Sequence, residues 1–278
     1  MYKKLLYMIL LISVSGFLFG CATSLKDYKP KSADLRFVTI TTEQKETVRA
    51  VLGEPSGSGN RPAVIFNHGT GVRRDGYDGA KRIGGMNVDD YVKALKEQGY
   101  VAIAPLRTLF AKEATLDRGR LTGTPEQWTE VIAYGLRVVD AARRFLAERP
   151  GVNQEAIAIV GFSEGGNVSL WSAIETPGYR AVVLLSPAAI PPSPRYRLRA
   201  ATREELLRRI NAPVFLAVAT DDFKGIRKVA SEALIPNLKK VNPAFCYQNK
   251  YPGGHDSFWR VRNEFWDDVA AFLKEHLQ

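Results

Sequence analysis

The chain is poor in the residues that staple small folds or hold metals: its 278 residues include two cysteines and three histidines. Cys21 and Cys246 stand alone at opposite ends, without zinc-type spacing, which excludes a disulfide framework and a structural zinc site. No metal site is expected. Long apolar runs are equally scarce. The one prominent run, residues 5–19, is shorter than the about 20 residues a spanning helix needs. Internal repeats and low-complexity tracts are missing, and no nucleic-acid-binding motif accompanies the net charge of +10. That charge suits an anionic surface or simple solubility, and no nucleic-acid partner is expected.

What the front of the chain does contain is Lys3 and Lys4, the apolar run, then Gly20, Cys21 and Ala22. A positive start, an apolar stretch and a small residue before a cleavage point read as a secretory signal over residues 1–20. Residues 18–21 resemble the bacterial lipoprotein lipobox, in which the cysteine is lipidated. The resemblance implies a lipid anchor at Cys21, a tether over 21–34, and a location in the bacterial cell envelope, facing the periplasm or exterior. An uncleaved membrane anchor is the alternative. Cys246, in a strand-like run, reads as a small buried hydrophobe.

The remaining residues, 35–278, are long enough for one sizeable core. Residues 35–40 and 47–52 read as an antiparallel opening pair of strands. Buried-type strands follow at 62–66, 100–105, 156–160, 181–185, 214–219 and 245–251. Helical patterns fall at 88–98, 125–148, 164–174, 203–210, 226–238 and 261–277. Residues 106–123 read as a polar, basic loop. Alternating β and α after a two-strand preface predicts an α/β fold: a mostly parallel, doubly wound sheet with helices on both faces.

The most informative stretch is Gly161, Phe162, Ser163, Glu164 and Gly165, a G-x-S-x-G between a strand and a helix. That context makes a nucleophile elbow, with Ser163 at the tip of a strained turn that leaves no room for side chains at 161 and 165. In such a sheet, reactive groups gather at the carboxyl ends of strands. Three further stretches end there. Residues 67–71 supply a backbone N–H, taken as that of Thr70, to hold an oxyanion beside the N–H of Glu164. His68 in this loop competes for the role of base; because it precedes the serine, it is read as bracing the loop. Residues 219–222 supply an acid, Asp222 or Asp221, with Asp222 favoured as the third residue beyond Ala219. Residues 251–258 place His255 on a glycine-rich loop before the last helix, where a general base belongs. Asp256 is read as pointing away, and His276 as belonging to the chain end. Arg107, Arg118 and Arg120 are read as solvent-exposed, with recognition of an acidic substrate as the alternative. The short, proline-rich segment 186–211 leaves little room for a lid and suggests an open site.

The order Ser163, Asp222, His255 is that of α/β-hydrolases. Together with residues 161–166, the His68 and Gly69 loop and residues 251–255, it resembles the dienelactone-hydrolase-like branch over residues 36–278. The resemblance implies an α/β-hydrolase fold and an acyl-transfer hydrolase, for which no cofactor is expected. Dienelactone hydrolases proper carry a cysteine nucleophile where this chain has Ser163, so the dienelactone substrate itself is not implied. The expected reaction is hydrolysis of a small-molecule carboxylic ester through a Ser–His–Asp triad. A peptidase or amidase of the same fold, or a non-catalytic binding protein on the scaffold, are the alternatives.

Overall fold

The computed structural model describes residues 34–278 except 58, 83–86, 110–112, 118–119 and 249–250. Cys21, the leader and the tether up to residue 33 lie outside the described residues. The opening strands are β1 (Arg36–Thr41), β2 (Thr47–Gly53) and β3 (Arg61–Asn67). Helices α1 (Thr70–Arg82) and α2 (Val88–Glu97) lead to β4 (Val101–Pro105), and a small hairpin pairs β5 (Leu116–Asp117) with β6 (Arg120–Leu121). Helix α3 (Pro125–Ala147), β7 (Val152–Phe162), α4 (Glu164–Glu175) and β8 (Ala181–Leu185) form the centre. Short helices α5 (Leu198–Ala201) and α6 (Glu204–Leu207) precede β9 (Val214–Ala217). Helix α7 (Lys224–Val229) runs through a π-helical segment (Ala230–Leu234) into α8 (Ile235–Val241). Strand β10 (Cys246–Gln248), a 3₁₀ turn (His255–Phe258) and α9 (Asn263–Leu277) close the chain.

Eight strands form one sheet in the order β1-β2-β4-β3-β7-β8-β9-β10. Pairings β1–β2 and β2–β4 are antiparallel, and the six strands from β4 to β10 run parallel to one another. Successive strand side chains face opposite sides, which splits the core in two. Ile65, Ile159, Leu184 and Leu216 pack with α3 and α4 on one face. Val64, Val160, Val183 and Phe215 pack with α2 and α9 on the other. Because both faces are covered, the central strands read as unbroken apolar runs rather than alternating ones. The start of α3 shows how local sequence sets a boundary. Thr124 Oγ1 accepts the Gln127 N–H at 3.2 Å while Gln127 Oε1 accepts the Thr124 N–H at 2.8 Å, with Pro125 at the first helical position. Such a cap contributes about 1 kcal/mol.

Two expectations are corrected: the last strand includes neither Phe245 nor Tyr251, and Cys246 is half-buried rather than buried. Helix α1 has no counterpart among the patterns read from the sequence. The basic loop also contains the β5–β6 hairpin.

Candidate active site

Strand β7 delivers the chain to Ser163 at φ 56° and ψ −119°, a left-handed conformation that a non-glycine residue adopts only under constraint. The constraint comes from both sides. Ser163 N–H donates to the Leu185 carbonyl at 3.0 Å, and the Ser163 carbonyl accepts from the N–H groups of Asn167 at 3.0 Å and Ala188 at 2.8 Å. Space is the second reason for the motif. A Cβ at Gly161 would overlap the Gly165 carbonyl, and one at Gly165 would overlap the Asn67 carbonyl.

His255 follows Gly253 (φ 93°) and Gly254 and opens the 3₁₀ turn. Its ring lies between Phe162 and Phe223, with centroid separations of 5.0 and 4.8 Å. Nε2 is 2.7 Å from Ser163 Oγ, and Nδ1 is 2.9 Å from Asp222 Oδ1. With the proton on Nδ1, both contacts are consistent: Nδ1–H donates to Asp222, and the Nε2 lone pair faces the serine hydroxyl. Asp222 is 2% exposed and fixed by its own neighbours. Its Oδ1 also accepts the Phe223 N–H at 2.7 Å, and its carbonyl accepts from Arg227 Nε at 2.8 Å. Asp221 and Asp256 are exposed.

Thr70 and Glu164 are the first residues of α1 and α4, whose first-turn N–H groups have no intrahelical acceptor. Their side chains meet, Thr70 Oγ1 donating to Glu164 Oε2 at 3.1 Å. The Glu164 carboxylate is fully buried between Arg73 and Arg107, at 2.8 and 3.2 Å. Burial alone would raise its pKa; the two guanidinium charges and the Arg73 hydrogen bond outweigh burial and hold it at about 2. Arg107 is 1% exposed, which overturns its reading as a solvated side chain. Arg120 is exposed, and Arg118 lies outside the described residues. Nothing local in the sequence betrays the cluster, since Arg73 and Arg107 stand 91 and 57 residues from Glu164.

His68 is fully buried, with both ring nitrogens bound to backbone groups. Nε2 accepts the Arg107 N–H at 3.0 Å, so Nδ1 carries the proton and donates to the Gly69 carbonyl at 2.9 Å. Burial, aided by the Arg107 charge, pushes its pKa down to about 3, so the ring is neutral near pH 7. It ties the loop after β3 to the end of β4.

Ser163 and His255 open on a cavity of about 330 Å³, with Thr70, Trp128, Ile190, Phe223, Lys224 and Ile226 among its lining. Residues 188–191 supply one wall, and Ser163 is only 7% exposed. The site is therefore a pocket with residues 188–191, from the short segment 186–211, along one side. No group of three or more potential metal ligands occurs among the described residues.

Comparison with known proteins agrees with this architecture. No curated protein matches the chain. A putative dienelactone hydrolase from Klebsiella pneumoniae superposes with a TM-score of 0.63 at 20% identity, covering 87% of this chain and 100% of that one. An acetyl xylan esterase from Paenibacillus sp. R4 gives 0.63 at 15% identity, covering 91% and 87%. Dipeptidyl peptidase 4 of Porphyromonas gingivalis gives 0.63 at 15% identity, over 87% of this chain but 35% of its own length. At these identities the superpositions establish the fold, the α/β-hydrolase fold. The family follows from sequence, because residues 48–277 match the model of the dienelactone hydrolase family. The chain belongs to the dienelactone hydrolase family and is a hydrolase.

Proposed function

We propose that the chain is a serine hydrolase that cleaves small carboxylic esters through an acyl-enzyme. One observation carries the reading: Ser163, His255 and Asp222 form a continuous hydrogen-bonded chain of 2.7 and 2.9 Å at the mouth of an apolar cavity. His255 Nε2 takes the hydroxyl proton as Ser163 Oγ attacks the ester carbonyl. Asp222 holds the ring in the required tautomer and stabilises the imidazolium that forms. The backbone N–H groups of Glu164 and Thr70 receive the developing oxyanion, each contributing on the order of 3 kcal/mol. His255 then protonates the departing alcohol, and water cleaves the acyl-enzyme by the same route.

A cavity of about 330 Å³ lies near the lower end of ligand pockets, which run from roughly 300 to 1,000 Å³. It supports short acyl chains over long ones. Hydrolysis of nitrophenyl acetate, butyrate and palmitate by the parent and by Ser163→Ala tests the reading. The expected result is turnover that favours the short esters and falls at least about 1,000-fold in the variant. A folded parent inert toward all three, or a variant as active as the parent, contradicts it.

A further inference from the structure

Glu164 does two separate things with its backbone and its side chain. Its N–H belongs to the first turn of α4 beside the nucleophile. Its carboxylate, with no exposed surface, accepts from Thr70 Oγ1 at 3.1 Å, Arg73 Nε at 3.2 Å and Nη2 at 2.8 Å, and Arg107 Nη1 at 3.2 Å. The two guanidinium groups reach onward, Arg73 to the Ala114 carbonyl and Arg107 to the His68 carbonyl. One carboxylate thus joins the elbow, the start of α1, the residues after β4 and the residues before the β5–β6 hairpin. Desolvating three charges costs several kcal/mol per ion, and apolar residues of similar volume would often be as stable. Stability is therefore a weak reason for the cluster, and geometry is a strong one. Thr70, the residue offering one oxyanion donor, is hydrogen-bonded directly to the side chain of the residue offering the other.

Resting on the serine-hydrolase reading, we propose that Glu164 is a positioning residue: through Thr70, Arg73 and Arg107 its carboxylate sets the spacing of the two oxyanion donors. Oxyanion donors act at about 2.7–3.1 Å, and a misplacement near 1 Å costs on the order of 100-fold. Glu164→Gln replaces one acceptor oxygen by a donor facing cations, so the clamp loosens while volume is kept. The expected outcome is a fall in kcat of about 10–100-fold with KM within about threefold. Affinity for phenylboronic acid, which forms a tetrahedral adduct on the serine, falls in parallel. Thr70→Val removes only the Oγ1 link and retains the backbone N–H; it is expected to lower kcat and boronate affinity about 3–10-fold, and Thr70→Ser to restore both. Combining Glu164→Gln with Thr70→Val should be less than additive, because both break one linkage.

Folding of each variant is checked by circular dichroism; if Glu164→Gln fails to fold, the Thr70→Val and Thr70→Ser pair decides. Parental kcat and boronate affinity in folded Thr70→Val, or a loss confined to KM, overturns the proposal. A parent that neither hydrolyses esters nor binds the boronate overturns the serine-hydrolase reading along with it. An active parent whose variants match it overturns the clamp alone.

Discussion

His68 and Ser163 show how completely surroundings decide what a residue can do. Both sit at strand ends at the candidate site, yet His68 has both ring nitrogens committed to backbone groups and is pushed to a pKa of about 3. The sign of the consequence is definite. Between its ordinary value of 6.5 and about 3, the unfolded chain holds the extra proton. Stability therefore rises with pH across that window and is lost as pH falls through it. Each pH unit below 6.5 removes up to roughly 1.4 kcal/mol. Denaturant titrations from pH 7 to 4.5 should show parental stability falling more steeply than that of His68→Asn; identical slopes would contradict the assignment. Glu164 adds a loss of the same sign only between 4.5 and about 2, below that range. At this scale the sequence was legible where chemistry is local. Ser163 and His255 stand in glycine-framed motifs, and spacing from Ala219 separates Asp222 from the exposed Asp221. Arg107 was not legible, because a buried arginine and a solvated one look alike until their distant carboxylate is placed.

Among the elements, those with an unambiguous apolar pattern are where the sequence puts them. Residues 181–185 and the helix near 88–98 are examples, the helix being found at Val88–Glu97. Helix α1 escaped for a physical reason. It carries Gly71, Gly76 and Gly79, its only buried apolar residues are Val72 and Ala80, and Gly76 at φ 72° breaks its regularity. Glycine disfavours a helix by about 1 kcal/mol relative to alanine, so propensity argues against an element that tertiary contacts hold. Arg73, buried against Glu164, is one such contact. Strand β10 falls inside the strand expected at 245–251; as an edge strand it pairs with β9 over Cys246–Gln248. The elbow was read from its surroundings as much as from its serine, since a strand of buried type and two sterically required glycines flank it.

For the whole molecule, the net charge of +10 and the lipobox-like residues 18–21 bear on location rather than chemistry. We propose that the hydrolase domain is held at the cell envelope by a lipid on Cys21. In a bacterial host, the parent should then partition with membranes and carry a mass shift on its amino-terminal peptide. Cys21→Ser should lose that modification; a parent without it, fractionating as a free protein, would contradict the anchor. A sheet buried on both faces brings Ser163, His255 and Asp222 into one hydrogen-bonded line, and we propose that this makes the serine nucleophilic. The most direct test is treatment of the folded full chain with a fluorophosphonate, followed by peptide mass spectrometry. One stoichiometric adduct on Ser163 is expected, abolished by Ser163→Ala and by heat unfolding. A folded chain that stays unlabelled, or that carries its adduct on another residue, would contradict it.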